Sequence, residues 1–240
     1  NEKNQKQAEL TNHLAEVGRL LQLALDLREP DSDAKAVAQA RYLLSYVFFM
    51  QKKYLDSVIL ASYCMTNDRK ADPDNALNAT EIAISAAVAA WNAAPGKDRD
   101  FETRLLQDVC LKIVELYPQS SRAGEARMRL GSVYMKLNQP AEGAKWFLQI
   151  PESDPQHVSA KIYAGQAYWA AWTQKTALSA ADPESAQPPA AEMAQWKTDA
   201  KSLLTQGIQM MRQKLGEGAR PTEEVVAAEV SLAGILNLDN

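Results

Sequence analysis

Apolar positions in this chain recur at threes and fours, and nowhere do they alternate at twos for long enough to predict a strand. Over residues 5–28, Leu10, Leu14, Val17, Leu21 and Ala24 mark one stripe, which Leu20 and Leu27 widen. That spacing predicts a long amphipathic helix. Pro30 and Asp31-Ser32-Asp33 end it and cap the next element. Residues 34–51, with the run RYLLSYVFFM, predict a second helix, and Gln51-Lys52-Lys53 a tight turn. Tyr54–Met65 then predicts a returning helix with Leu55, Val58, Ile59 and Ser62 or Tyr63 turned inward. Helices joined by so short a turn lie antiparallel.

The pattern continues beyond a polar loop, NDRKADPD, at 67–74. Ala76–Ala94 predicts an alanine-rich helix whose small side chains admit close neighbours; Pro95-Gly96 stops it. Phe101–Tyr117 carries Leu105, Leu106, Val109, Ile113 and Leu116 on one side and closes at Pro118. Ser120-Ser121 caps a helix to Leu137, and Pro140 occupies a first-turn position of the helix returning to Ile150. His157–Lys175 is the next helix. The stretch 177–189, with Asp182, Pro183, Pro188 and Pro189, breaks the periodicity and predicts an insertion. A helix over 192–215 stops at Gly216-Glu217-Gly218, and Pro221 opens a last one containing Val225, Val226, Val230, Leu232, Ile235 and Leu236. The expectation is ten helices and an all-α fold.

A repeat lies inside this pattern. Leu130-Gly131 is followed by Tyr134, and Ala164-Gly165 by Tyr168, so that each glycine and each tyrosine recurs 34 residues on. A self-match at that period in a helical chain signals a repeat array. The order Leu130, Gly131, Tyr134, Gly143, Phe147, Pro155 resembles the tetratricopeptide repeat (TPR). In that family a large, a small and an aromatic residue on the first helix meet a small and an aromatic residue on the second. Leu44, Ser45 and Phe48 with Ser57 and Ala61 resemble a further copy, as do Leu232, Ala233 and Leu236, and the similarity covers roughly residues 36–240. The phrase YPQSSRAGEARMRLG resembles the repeats of bacterial envelope proteins such as the outer-membrane assembly lipoproteins.

The resemblance implies one domain, 1–240, wound as a right-handed superhelical array of antiparallel helix pairs. Its parts would be an N-terminal helix (1–30), pairs at 34–67, 76–118, 120–155 and 157–215, the last with the insertion 177–189, and a C-terminal helix (221–240). It also implies a non-enzymatic scaffold whose first helices line a concave groove for a peptide or partner helix. Helical spacing selects the residues facing that groove: Gln39, Tyr42, Tyr46 and Phe49 in one pair, Glu125, Met128, Ser132 and Met135 in another, and Ser159, Ile162, Gln166 and Trp169 in a third. The expected partner-binding set is Tyr42, Tyr46, Phe49, Met128, Ser132, Met135, Gln166 and Trp169, because aromatic residues and methionine are enriched at recognition surfaces. A covering helix of the same chain, the N-terminal one, explains such a stripe equally. The paired Lys, Asn and Arg with which chaperone-binding relatives clamp a carboxylate are missing from these stripes. The alternatives are a self-associating structural module and a helical protein that holds a small ligand or glycan on Tyr163, Trp169 and Trp172.

Composition narrows this picture little. A net charge of −4 and a pI near 5.4, with no basic block, argue against nucleic acid. No run of about 18 apolar residues is present, so no transmembrane segment is expected. Cys64 and Cys110 lie in apolar helical patterns and suit buried reduced thiols, the alternative being a disulfide between neighbouring helices. They leave the compartment undecided. The resemblance points to the bacterial periplasm or cell envelope, with the cytoplasm as alternative. The chain opens on Asn1, as a processed or excised form would. His13 and His157 belong to no ligand set, and neither a phosphate loop nor a nucleophile elbow occurs. No catalytic residue, metal or cofactor is expected.

Overall fold

The structure, a computed structural model, describes residues 2–95, 98–181, 189–216 and 218–238. They form ten helices and no strand. The helices are α1 (Glu2–Asp26), α2 (Ala34–Met50), α3 (Tyr54–Asn67), α4 (Pro73–Ala93), α5 (Asp100–Leu116), α6 (Ser121–Lys136), α7 (Pro140–Leu148), α8 (His157–Ala181), α9 (Ala190–Leu215) and α10 (Glu223–Asn237). The chain divides into two compact units, Asn1–Arg122 and Ala123–Asn240. Within each, the helices pair antiparallel in TPR-like fashion.

In the first unit α2 packs on α3, and α4 lies against both. Asp33 caps α2 by accepting from the Lys35 amide at 3.0 Å. Ser45, Ser57 and Ala61 are fully buried at the α2–α3 crossing, where the Ser57 hydroxyl donates to the Ser45 carbonyl at 2.9 Å. Small residues let the backbones approach, and the hydroxyl is thereby satisfied in a dry place. Met65, Ile84 and Ile113 fill the core, each worth about 1.5–3 kcal/mol of apolar burial. The Tyr117 hydroxyl donates to the Met65 carbonyl at 2.7 Å and ties the end of α5 to α3.

One expectation fails here and a second is narrowed. The inner face of α3 is Ser57, Val58, Ala61, Cys64 and Met65, whereas Leu55 and Tyr63 point outward and Ile59 is 68% exposed. The small residues set the phase, because only they fit the tight crossing with α2. The polar run at 67–74 is a loop over 68–72 only, exposed at Asn67, Arg69, Lys70 and Asp74 and buried at two carboxylates. α3 persists to Asn67, and α4 starts early at Pro73, capped by Asp72, which accepts from the Asn75 amide. Between them Asp68 and Asp72 are buried, and Asp68 pairs with Arg41 at 2.7 Å.

In the second unit glycines seat the helix pairs reciprocally. A Cβ on Gly131 would lie 2.4 Å from the Phe147 ring, and one on Gly143 would lie 2.8 Å from the Gly131 carbonyl oxygen. α8 and α9 repeat this with Gly165 against Leu204 and Gly207 against Ile162. These contacts are the physical content of the 34-residue period: each small residue marks a helix–helix crossing. α10 then packs on both α8 and α9 and buries Val225, Ala228 and Ile235. The break expected at 177 begins later, since α8 continues to Ala181. Thr176 and Ser179 return their hydroxyls to the helix carbonyls of Trp172 and Lys175, and good helix formers run on until the Asp182-Pro183 step. Residues 182–188 of the expected insertion, and Gly96 of the expected stop, lie outside the described residues.

Candidate functional site

In the first unit the outward side of α2 and α4 gathers the sequence-derived tyrosines. Tyr46 is 47% exposed, Tyr42 is half-buried beside it, and Phe49 packs on Tyr54 with ring centres 6.0 Å apart. α1 does not cover them. It is seated on α2 through Val47 and Gln51, and the Gln51 amide donates to the Leu14 carbonyl at 2.9 Å. Positions 47 and 51 sit on a different side of the helix from 42, 46 and 49. Burial, then the charge of Glu81, then that of Tyr46 push the Tyr42 hydroxyl above the usual tyrosine range, which places Glu81 of α4 close by. Glu81 pairs with Arg122 at 2.5 Å, yet 58% of its side chain stays exposed. Sequence reasoning missed it, although a signal was there: Glu81 is the only ionisable residue between Asn75 and Ala93. With Asn78 and Asn92 it marks the exposed side of α4.

The second unit treats its predicted residues differently. Ser132 is exposed and donates to the Met128 carbonyl at 3.0 Å; Gln166 is half-buried. Met128 and Met135 pack against the core, and Met135 comes within 3.4 Å of where a Cβ on Gly143 would stand, inside the α6–α7 pair. Ile162, assigned by spacing to the groove stripe, is fully buried against Gly207 of α9. The glycine draws the isoleucine inward, which a helical wheel of α8 alone cannot show. Trp169 stacks on Trp172, with ring centres 5.0 Å apart and planes 7° from parallel, and its indole lies under Gly234 of α10. The Ser159 hydroxyl donates to Glu224 of α10 at 3.3 Å. α10 is therefore the helix that lies on Ser159 and Trp169, where an open groove was expected and the N-terminal helix was the alternative cover. Lys197 also lies over Trp172, its Nζ 5.7 Å from the ring centre.

Cys64 and Cys110 are both buried. Burial, followed by the neighbouring Asp68 carboxylate, pushes the Cys64 thiol up to about 12, so it is protonated and unreactive at neutral pH. A ring nitrogen of His157, Nδ1, lies 2.9 Å from the Ile150 carbonyl oxygen, bridging the loop before α8. Among the described residues no three His, Cys, Asp or Glu side chains gather as a metal site would need, and no helix is long and apolar enough to cross a membrane.

No protein-family model matches the chain, and no curated protein matches it either. Among solved structures it is similar to the nearly identical TPR-like repeats of a Podosopora anserina chain described as a kinesin light chain. That match has 13% identity, covers 85% of this chain and 88% of that one, and has a TM-score of 0.45. A point variant of the same protein gives 0.46 at 13% identity, covering 85% and 87%. The chain is also similar to BtubC from P. vanneervenii, at 13% identity over 94% of this chain and 82% of that one, with a TM-score of 0.45. At that distance the chain's own helix pairing and glycine contacts, and not these neighbours, carry the description of the fold.

Proposed function

We propose that the chain is a non-enzymatic protein-interaction module, and that its binding surface is the α2–α4 face of the first unit. The observation that carries this reading is the juxtaposition of exposed Tyr46 and half-buried Tyr42 with the exposed carboxylate of Glu81. Tyrosines on rigid helices supply contact area at low entropic cost, and an acidic group beside them selects a basic residue in the partner. The fitting partner is a peptide or helix that presents Lys or Arg next to an apolar side chain. In the second unit Trp169 lies against α10 and Met135 within the α6–α7 pair, while Gln166 is half-buried and Ser132 exposed.

The test is an array of helical peptides carrying basic and apolar residues at three- and four-residue spacing, with scrambled controls. Binding to the intact chain is expected, with Tyr46→Ala and Glu81→Gln each weakening it about tenfold, roughly 1.4 kcal/mol. Peptides that bind the variants as tightly as the parent, or that fail to bind at all, would sink this assignment. Circular dichroism of the variants controls for folding.

A further inference from the structure

Glu81 carries the charge of the surface assigned above, and what already holds its carboxylate decides which basic side chain it can take. Arg122, the last residue of the first unit, donates from Nη2 to Oε2 of Glu81 at 2.5 Å. It does so with that N–H alone, and no donor among the described residues reaches Oε1. Arg19 shows the other grip: its Nε donates to one oxygen of Glu16 at 3.0 Å and its Nη2 to the other at 2.7 Å. Glu81 is thus half-occupied, with 58% of its side chain exposed, and its charge is felt at the Tyr42 hydroxyl.

An arginine brings two parallel N–H donors that match the two oxygens of a carboxylate, whereas a lysine is a point charge that needs only one oxygen. With Oε2 held by Arg122, an incoming arginine keeps one of its two hydrogen bonds, and an incoming lysine loses none. The like charge of Arg122 repels either cation about equally, and whatever Tyr42 and Tyr46 contribute is the same with and without Arg122. The oxygen that Arg122 takes is therefore what separates the two side chains.

We infer that Arg122 sets the specificity of this surface: it blocks the two-pronged grip of an arginine and leaves that of a lysine unimpaired, so the partner's basic residue is a lysine. The inference rests on the reading of Tyr42, Tyr46 and Glu81 as a binding surface. Arg122 acts through Glu81, as an internal occupant of half of the site that a partner would otherwise take whole. It also opposes every cation that approaches, which keeps the free surface from holding basic chains indiscriminately.

The experiment uses two helical peptides with leucine and one kind of basic residue at three- and four-residue spacing, identical except that one carries lysine and the other arginine. Both are titrated against the intact 240-residue chain and its Arg122→Gln, Arg122→Lys and Glu81→Gln variants. The parent should bind the lysine peptide more tightly. Arg122→Gln removes a like charge and should raise both affinities about threefold; the freed oxygen should raise that of the arginine peptide about tenfold further, and the lysine preference is lost. Arg122→Lys keeps a cation on Oε2 and should keep the preference. An ion pair this exposed contributes little to stability, so the variants should fold; if Arg122→Gln does not, the parent's own preference decides. A parent that favours arginine, or a lysine-to-arginine ratio that Arg122→Gln leaves unchanged, overturns the specificity role, and the binding surface still stands if Glu81→Gln weakens both peptides. Failure of both peptides to bind the parent removes the surface itself and this inference with it.

Discussion

Gly131 stands where a Cβ would enter the Phe147 ring, itself almost wholly buried. Gly131→Ala should therefore cost about 1–3 kcal/mol, the usual penalty of overpacking. Gly234 is the contrast. A Cβ there would sit 3.5 Å from Trp169, an ordinary contact, so Gly234→Ala should stabilise by up to about 1 kcal/mol through helix propensity. Urea denaturation of both variants checks the sign as well as the size. Cys64 adds a pH dependence. Its folded-state pKa is raised from 9.0 to about 12. A raised value means the contribution to stability is complete below the unfolded pKa and is lost as pH rises toward the folded one. The urea midpoint should fall as pH climbs from 9 toward 12, and Cys64→Ala should lessen that slope. Of the candidate-site residues, Tyr46 was readable from spacing because it lies on a stripe that no neighbour covers. Trp169 was not, because its cover, α10, comes more than fifty residues later in the chain.

Among the elements, the α3–α4 connection is a polar turn that is only partly wet. A polar run normally predicts a wet loop, yet Asp68 and Asp72 are buried and Arg41 reaches across from α2. Arg41 also lies over the Tyr63 ring, 4.9 Å from its centre. Arg41→Ala would leave the Asp68 charge buried without its cation. A loss of about 2–4 kcal/mol is expected, toward the low side of the range for a broken buried pair because Arg41 is not fully enclosed. A denaturation midpoint unchanged from the parent would show the pair to be inert. The reason the run misleads is general: polarity reports that a segment needs hydrogen-bond partners, and those partners can be other side chains instead of water.

For the whole molecule, each unit has its own core: Met65, Ile84 and Ile113 in the first, Leu130, Ile162 and Leu204 in the second. Repeat arrays distribute stability locally. Gly131→Val should accordingly expose amides of α6 and α7 to hydrogen exchange while those of α3 stay protected; uniform loss of protection would show that the chain melts as one body. The sequence by itself determined the number of helices, the antiparallel hairpins and the 34-residue spacing of the crossings, because periodicity, caps and turn lengths act over a few residues. Only the tertiary structure decided which side of α3 faces inward, that Ile162 meets Gly207, that α10 covers Trp169, and that Glu81 stands beside Tyr42. Those outcomes depend on which small residues of distant helices come opposite one another. An amphipathic stripe records that a helix has a neighbour, but not which neighbour it has.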